Sequence, residues 1–469
     1  MRKTKIICTL GPAVEDKIEE LMLAGMNCAR LNFSHGDYSE HKARMDKVKA
    51  AREKLGLPVA ILLDTKGPEI RIGLFEKGSV EIKKGQEYTF INDMTKLGNE
   101  KSVPVNFAPL YKNVTAGTLI LVDDGKVGFN VVEVVGEDIK CVALNDGKLS
   151  NRKSINVPNT NIEMEFMSEK DKNDVLFGIE QGVDFIAASF VRNEDDITQL
   201  RAFVNANGGQ NIQIISKIEN LQGIANLDKI VRLSDGIMVA RGDMGVEVPF
   251  DQLPVIQKEI IKKCYRAGKH VVTATQMLES MTKNPRPTRA EVSDVANAIF
   301  DGTTAIMLSG ETAAGDYPIE AVKAMAKIAE TTENNINYKK RFETNLLDLG
   351  IAAASACANA TVISANQLNA KAIVAVTNRG VTAQSISNYR PNSPIIAATP
   401  NIEVARQLNL AWNVKPIIIN PIVNQDESFE EAIAKAVDLN LIKREDTIVI
   451  AGGVKKSNLQ TGTVRIHKI

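Results

Sequence analysis

Two stretches of this sequence alternate short apolar runs with helical patterns, and one long stretch between them does not. Lys5–Leu10, Cys28–Phe33 and Val59–Leu63 are brief β-branched or fully apolar runs. Between them Glu15–Leu23 and Tyr38–Leu55 carry helical spacing and stop at Gly25 and Gly56, residues suited to helix C-caps. Near-continuous apolar runs suit parallel strands buried on both faces. The rhythm resumes at Ser168. Strands are predicted over Asp184–Ser189, Ile212–Lys217, Gly236–Ala240, His270–Ala274 and Ala305–Leu308. Helices are predicted over Ser168–Gln181, Glu194–Asn207, Asn220–Leu233, Gln252–Arg266 and Thr288–Phe300. Three strand–helix units before the break and five after it make eight, the count that closes a parallel barrel.

The break, from about Gly67 to Phe166, reads as short strands and turns. Ser79–Ile82, Glu87–Ile91, Thr118–Val122, Phe129–Val135 and Ile139–Ala143 are punctuated by Gly85, Asp124-Gly125, Gly136 and Asp146-Gly147. This predicts an antiparallel β domain inserted in the third connection. From about Tyr338 a small-residue helix (Gly350–Gln367) precedes strands at Ala372–Val376, Ile395–Ala398, Pro416–Ile419 and Thr447–Ile450. That pattern predicts a second α/β domain with an open sheet.

Composition narrows the function classes. Lys+Arg and Asp+Glu are 57 each, so the formal charge is zero. A generic nucleic-acid binder needs a basic excess, and a polybasic membrane-surface protein does too. The five cysteines (Cys8, Cys28, Cys141, Cys264, Cys357) are scattered, with no C-x-x-C pair, which excludes a disulfide framework and a thiolate zinc site and suits a reducing cytoplasm. The N-terminus has no long apolar run of the signal-peptide kind. The weakly polar stretch Gly350–Ala365 holds Ser355, Asn359 and Ser364, unlike the ~20 apolar residues of a membrane helix.

In a closed parallel barrel the chemistry stands at the C-terminal ends of the strands. Strand two ends Arg30-Leu31-Asn32-Phe33-Ser34-His35-Gly36, where alternation puts Arg30, Asn32 and Ser34 on one side. Strand three ends Leu63-Asp64-Thr65-Lys66-Gly67-Pro68, and strand five ends Ser216-Lys217-Ile218-Glu219-Asn220. Strands six, seven and eight end Arg241-Gly242-Asp243, Thr275-Gln276 and Ser309-Gly310-Glu311. A single Ser, Thr or Asp here reads as a helix cap or a salt-bridge partner. A whole ring of them reads as a site, because burying polar groups without partners is costly. Glu219 and Asp243 close adjacent strands, and two neighbouring carboxylates repel unless they share a proton or a cation. With few histidines and no Cys pair, the fitting ion is Mg²⁺ or Mn²⁺. Lys217 beside Glu219 also admits a plain salt bridge. Arg30 and Lys217 converging on a divalent cation is how a transferring phosphoryl group is held. No G-x-x-x-x-G-K-[ST] string is present, so such a site is not a P-loop.

These strings, with Asp64-Thr65-Lys66-Gly67-Pro68-Glu69-Ile70-Arg71, Ala274-Thr275-Gln276-Met277-Leu278, Asn284-Pro285-Arg286-Pro287-Thr288-Arg289-Ala290-Glu291 and Met307-Leu308-Ser309-Gly310-Glu311-Thr312, resemble the pyruvate kinase family. The resemblance spans essentially the whole chain. It implies an α/β fold: a (β/α)8 TIM barrel (residues 1–68 and 167–340), an inserted β-barrel lid (69–166) and a C-terminal open α/β sheet domain (341–469). It implies phosphoryl transfer from phosphoenolpyruvate to ADP, giving pyruvate and ATP through an enolate that is then protonated. It implies Mg²⁺ (or Mn²⁺), K⁺, a homotetramer and a cytoplasmic enzyme. Matched motif by motif, Glu219 and Asp243 correspond to the divalent-metal carboxylates. Lys217 and Arg30 correspond to the groups on the moving phosphoryl. Gly242, Asp243 and Thr275 correspond to the groups on the substrate carboxylate, with Thr275 also near the protonated carbon. Asn32, Ser34, Asp64 and Thr65 correspond to the K⁺ ligands, and Asn32, His35, Arg71 and Lys153 to nucleotide-binding positions. Glu69 stands where K⁺-dependent members carry Glu, so K⁺ dependence is expected.

Several positions depart from the family pattern. Asn159 replaces the usual Gly after Val157-Pro158, and Asn tolerates a left-handed backbone better than most residues. Thr304 replaces a usual Asp, and Phe166-Met167-Ser168 is an unusual lead into the second half of the barrel. The run from Ala451 to Gln460 lacks the common effector-loop sequence. Thr377, Arg379, Gly380 and Thr382 incompletely resemble the family's sugar-phosphate loop. An ordinary capped turn is an equal reading of that segment. No extra C-terminal phosphotransfer domain is expected. Two other functions compete: a Mg²⁺-dependent lyase or aldolase acting on a 2-oxo acid, which would not need the lid groups, and a non-catalytic sensor, which would have lost Lys217 or a metal carboxylate.

Overall fold

A computed structural model describes residues 1–346, 353–421, 424–452 and 462–469. Eight parallel strands close a barrel: Lys5–Thr9, Cys28–Asn32, Ala60–Asp64, Phe185–Ala188, Gln213–Ile218, Gly236–Ala240, His270–Ala274 and Ala305–Leu308, the last pairing back with the first. Their alternate residues face two ways. Ile7, Cys28, Leu62, Phe185, Met238 and Val272 fill the barrel interior, joined there by Leu410 from the C-terminal region. The other positions pack under the surrounding helices. Tyr38–Leu55 forms as predicted and stops at Gly56, whose left-handed backbone sends its N–H to the carbonyls of Arg52 and Glu53.

Three barrel expectations need correction. The single helix expected over Asn220–Leu233 is two, Leu221–Ala225 and Leu227–Leu233. Asn226 leaves helical geometry between them, and its side-chain amide donates to the carbonyls of Arg192 and Gln222. The helix expected from Glu15 begins only at Ile18, after a 3₁₀ turn at Pro12–Val14. Ser34 lies beyond the second strand, in the turn that starts at Phe33, so strand alternation does not place it.

The inserted region carries a seven-stranded sheet, in the order Ile70–Arg71, Ser154–Asn156, Leu119–Val122, Val127–Val135, Asp138–Ala143, Glu87–Ile91, Ser102–Pro104. A two-stranded ribbon, Gly147–Ser150 with Ser79–Ile82, lies beside it. The sheet's two edges meet: Ile72 bridges Val105, Gly73 N donates to Pro104 O at 2.8 Å, and Asn106 N to Arg71 O at 3.0 Å. The sheet thus curls back on itself. It is not wholly antiparallel, because Glu87–Ile91 and Ser102–Pro104 run parallel. Ser168 caps the helix that returns the chain to the barrel, in a reciprocal capping box with Asp171.

In the C-terminal region four parallel strands, Val414–Ile418, Ile395–Thr399, Ala372–Val376 and Thr447–Gly452, are joined by an antiparallel edge strand, Thr463–Lys468, which the sequence pattern did not signal. Alternation divides its core. Ile373, Ala375 and Val449 pack with the helix Ala353–Gln367, and Val374, Ile448 and Ile450 pack with Gln425–Asp438. The first residues of the small-residue helix expected from Gly350, and Gly453 to Gln460 of the divergent C-terminal run, lie outside the described residues. No helix among the described residues is long and apolar enough to cross a membrane.

Candidate active site

The third and fifth barrel strands bring Asp64 and Lys217 together at the mouth, and the second adds Arg30. Arg30 Nε donates to Asp64 Oδ2 at 2.6 Å, and Lys217 Nζ to Asp64 Oδ1 at 3.1 Å. All three side chains are buried. Burial opposes the charge on Asp64, but Arg30 and Lys217 outweigh it and hold the carboxyl below its usual range. Burial also opposes the charge on Lys217, and there Asp64 and Glu219 prevail, raising its pKa.

Lys217 is shared. Besides Asp64, its Nζ donates to Ser189 Oγ at 2.8 Å and stands 3.0 Å from Glu219 Oε1. That last approach is an ion pair without hydrogen-bond alignment, so Glu219 Oε1 is buried with no directed donor. Its partner oxygen, Oε2, accepts from Phe190 N at 2.6 Å. Burial pushes the Glu219 carboxyl up to about 7; Lys217 resists the shift and the Asp243 charge adds to it. A buried carboxylate oxygen lacking a donor, with a second carboxylate in its field, suits a hard cation. Among the described residues no group of three or more His, Cys, Asp or Glu is placed to hold a metal. Glu219 and Asp243 would therefore hold an ion together with substrate oxygens and water.

Of the expected K⁺ ligands, Asn32 and Asp64 are register partners on adjacent strands, and three of the four have their oxygens engaged. Asn32 Oδ1 accepts from Ser34 N at 3.1 Å, and Thr65 O accepts from Ser189 Oγ at 2.7 Å. Asp64 is held as above. Thr275 and Gly242 are in contact, Gly242 N donating to Thr275 Oγ1 at 2.8 Å. Thr275 and Gln276 have φ of 65° and 55°, and Phe190 has 57°. Positive φ at a β-branched residue is a genuine outlier, and such strain gathers at functional sites.

Other expected groups turn elsewhere. Arg71 clasps Glu69 through Nε at 2.8 Å and Nη2 at 2.7 Å, and Lys153 pairs with Asp123 at 3.0 Å. His35 is exposed in the turn after strand two, its carbonyl meeting His41 Nε2 at 2.9 Å. Glu311 serves structure: its carboxylate accepts from Leu278 N and Ser309 N. Thr377 and Thr382 are buried, while Arg379 and Gly380 border a cavity of about 310 Å³ against Lys269 and His270 of the barrel. A cavity of about 370 Å³ lies between lid and mouth, lined by Glu69, Asn156, Asn159, Phe190, Asp243 and Glu247 among others. Two residues were missed from sequence. Ser189 ties Asp64, Thr65 and Lys217 together, and Thr9 Oγ1 accepts from Arg30 at 2.8 Å. Thr9 ends barrel strand one and Ser189 directly follows strand four, so the strand-end rule applied to all eight strands finds them.

A lidded (β/α)8 barrel with buried cations and paired carboxylates at its mouth defines an enzyme that handles a small, highly charged anion. Residues 1–322 match the family "Pyruvate kinase, barrel domain" and residues 355–467 match "Pyruvate kinase, alpha/beta domain". Pyruvate kinase of Clostridium acetobutylicum is 47% identical, covering 100% of this chain and 99% of the relative. That of Geobacillus stearothermophilus is 47% identical, covering 100% of this chain and 80% of the relative. The crystal structure of a pyruvate kinase from Cryptosporidium parvum superposes with a TM-score of 0.95 at 41% identity, over 100% of this chain and 96% of that one. The chain belongs to the pyruvate kinase family. It is a transferase that moves a phosphoryl group from phosphoenolpyruvate to ADP, giving pyruvate and ATP.

Proposed function

We propose that this transfer is carried out at the barrel mouth by Lys217, Arg30 and Thr275, with a divalent ion, Mg²⁺ or Mn²⁺, held by Glu219 and Asp243. The observation that carries the reading is the buried ammonium of Lys217, which divides itself among Asp64, Ser189 and Glu219. A buried cation fixed among these partners faces an incoming anion without reorganising the barrel. Arg30 and Lys217 bind the phosphoryl group, and Lys217 stabilises the enolate oxygen as negative charge develops there. Gly242, Asp243 and Thr275 orient the substrate carboxylate, and the proton is delivered to the methylene carbon on the Thr275 side. The divalent ion supplies charge neutralisation on the transferring group. Asn32, Ser34, Asp64 and Thr65 hold K⁺, the role that hard oxygens in this cluster suit. Asn32 and His35, with Arg71 and Lys153 from the lid, meet the nucleotide, which requires Arg71 to leave Glu69. The lid shuts out water that would compete with ADP.

The division at residues 68/69, 166/167 and 340/341, the homotetramer and the cytoplasmic location belong to the same proposal and rest on the family resemblance. Activation by a phosphorylated sugar at Thr377, Arg379, Gly380 and Thr382 is supported only by the border that Arg379 and Gly380 give one cavity. Flat kinetics with added sugar phosphates at subsaturating phosphoenolpyruvate remove it.

The test is pyruvate formation from phosphoenolpyruvate and ADP with Mg²⁺, in K⁺ and with K⁺ replaced by tetramethylammonium. Turnover is expected only with both ions. Turnover without K⁺ keeps the reaction and overturns the ion assignment at Asn32, Ser34, Asp64 and Thr65 with the reading of Glu69.

A further inference from the structure

Arg241 opens the short helix Arg241–Glu247, which follows the strand Gly236–Ala240 and carries Asp243, and it reaches the turn after the neighbouring strand His270–Ala274; no ligand role attaches to it. Its guanidinium is buried, 8% exposed, and every nitrogen is committed. Nη2 donates to Thr275 O at 2.6 Å, and Nε reaches the carbonyls of Thr275 and Ala274 at 3.2 Å each. Nη1 donates to Asp294 at 2.6 Å, on the helix Arg289–Asp301, and Nη2 also meets Met277 Sδ at 2.9 Å. The residue it grips is the β-branched Thr275, held at φ 65° with Gln276 beside it at 55°. Left to itself such a residue relaxes out of the left-handed region. Its hydroxyl is fixed in the opposite sense, accepting from Gly242 N at 2.8 Å and donating to Ala274 O at 2.6 Å.

We propose that Arg241, anchored by Asp294, is a positioning residue that holds Thr275 in this strained turn and so sets its hydroxyl for the proton-transfer step. The planar fork of arginine supplies two donors to one carbonyl side and a third to the anchor. Lysine has the charge without that geometry. Arg241 itself points away from the reacting atoms, into the turn and the helix behind it. The proposal rests on the reading that Thr275 stands by the carbon that is protonated.

The proton step can be measured without phosphoryl transfer. In D₂O, with Mg²⁺ and K⁺, the pyruvate methyl group loses a proton to give the enolate and regains a deuteron, and NMR follows the exchange. Asp294→Asn keeps size and touches no substrate. It is expected to slow exchange about tenfold, and Arg241→Lys more, because a small misplacement of a reacting group costs one to two orders of magnitude. The Mg²⁺ titration should stay within about twofold, since these variants leave Asp243 and Glu219 in place. Thr275→Ala tests the underlying reading and should slow exchange as well. Exchange unchanged in Asp294→Asn overturns the positioning role while the Thr275 reading stands. Exchange unchanged in Thr275→Ala overturns both. A Mg²⁺ titration displaced as far as the exchange rate overturns the role at Thr275 and puts Arg241 in service of Asp243. A lowered melting temperature with normal exchange reduces the contact to structure and overturns the proposal too.

Discussion

The two ends of the barrel both bury charge, and they treat it differently. At the floor, Asp184 accepts from Ile61 N at 2.8 Å and pairs with Arg406 of the C-terminal region at 2.9 Å, an approach whose N–H is not aligned on the carboxylate, with Arg52 at 3.9 Å. Glu333 accepts from the backbone N–H groups of Lys3 and Thr4, and Lys5 Nζ donates to Val414 O at 2.6 Å. Leu410 closes that end with an apolar side chain. These contacts fasten one region to another. At the mouth the charges crowd onto one lysine, one carboxylate oxygen lacks a directed donor, and Phe190, Thr275 and Gln276 hold unfavourable backbone angles. Both ends leave buried polar atoms without a hydrogen-bond partner, Glu219 Oε1 at the mouth and Gln213 Oε1, His270 Nδ1 and Arg406 Nε at the floor. What the mouth adds is charge crowded onto one lysine and a left-handed backbone at the β-branched Thr275, as expected where one end binds a ligand and the other holds the fold.

The strongest attack on that contrast is Lys217→Met. Arg30 still pairs with Asp64, so the fold should survive, while turnover should fall by about two to three orders of magnitude or more for loss of the central electrostatic group. A variant with near-normal kcat and normal melting would make the mouth an ordinary buried ion-pair network.

The floor is probed through stability. Burial pushes the Asp184 carboxyl up to about 6, against the pull of Arg406 and Arg52. The unfolded chain has an ordinary aspartate near about 3.9. Between those values the native state keeps a proton that the unfolded state has lost. This group's contribution is therefore favourable at low pH, declines as pH rises from about 4 to about 6, and is flat above. A gap of about two units corresponds to about 3 kcal/mol. Asp184→Asn lacks that slope, so urea unfolding across pH 4 to 7 should show the wild type losing stability relative to the variant. Turnover should change less than about twofold, because the floor does not touch the chemistry. Parallel pH profiles would mean that Arg406 and Arg52 offset the burial of Asp184 in full.

The sequence exposed the mouth far better than the floor. Parallel strands end at one face, so Arg30, Asp64, Lys217, Glu219 and Asp243 could be gathered by finding where each apolar run stops. Strain could not be read: nothing in Phe190 or Thr275 marks a left-handed backbone, whereas Asn159, at φ 60°, does have the side chain that tolerates one. The pairing of Arg406 with Asp184 joins segments far apart in sequence, and no periodicity encodes it. Thr463–Lys468 alternates polar and apolar residues over Thr463-Val464-Arg465-Ile466-His467, but it is a short edge strand with none of its residues fully buried, so no apolar run marks it. The partners of Arg71 and Lys153 escaped because surface charges choose among several neighbours.

The smallest effect is expected at the lid, which covers only one of the two ends. Asn156 Nδ2 donates to Glu247 Oε1 at 3.0 Å, and Asn161 meets Gln222 close to the joint, so the lid already touches the barrel on this side. Asn159 lies between those contacts and lines the cavity beneath the lid. Asn159→Gly removes a side chain from a left-handed position, which relieves local strain, and loosens the unfolded chain, which opposes it. The two should cancel to within about 1 kcal/mol in stability. If the electrostatics of the mouth set the rate, turnover should shift by less than about threefold, since the groups around Lys217 are untouched. A tenfold change in kcat with unchanged melting would place control of the rate in the motion of the joint. The difference between the two ends would then describe where charge is held, and the lid would decide how fast it is used.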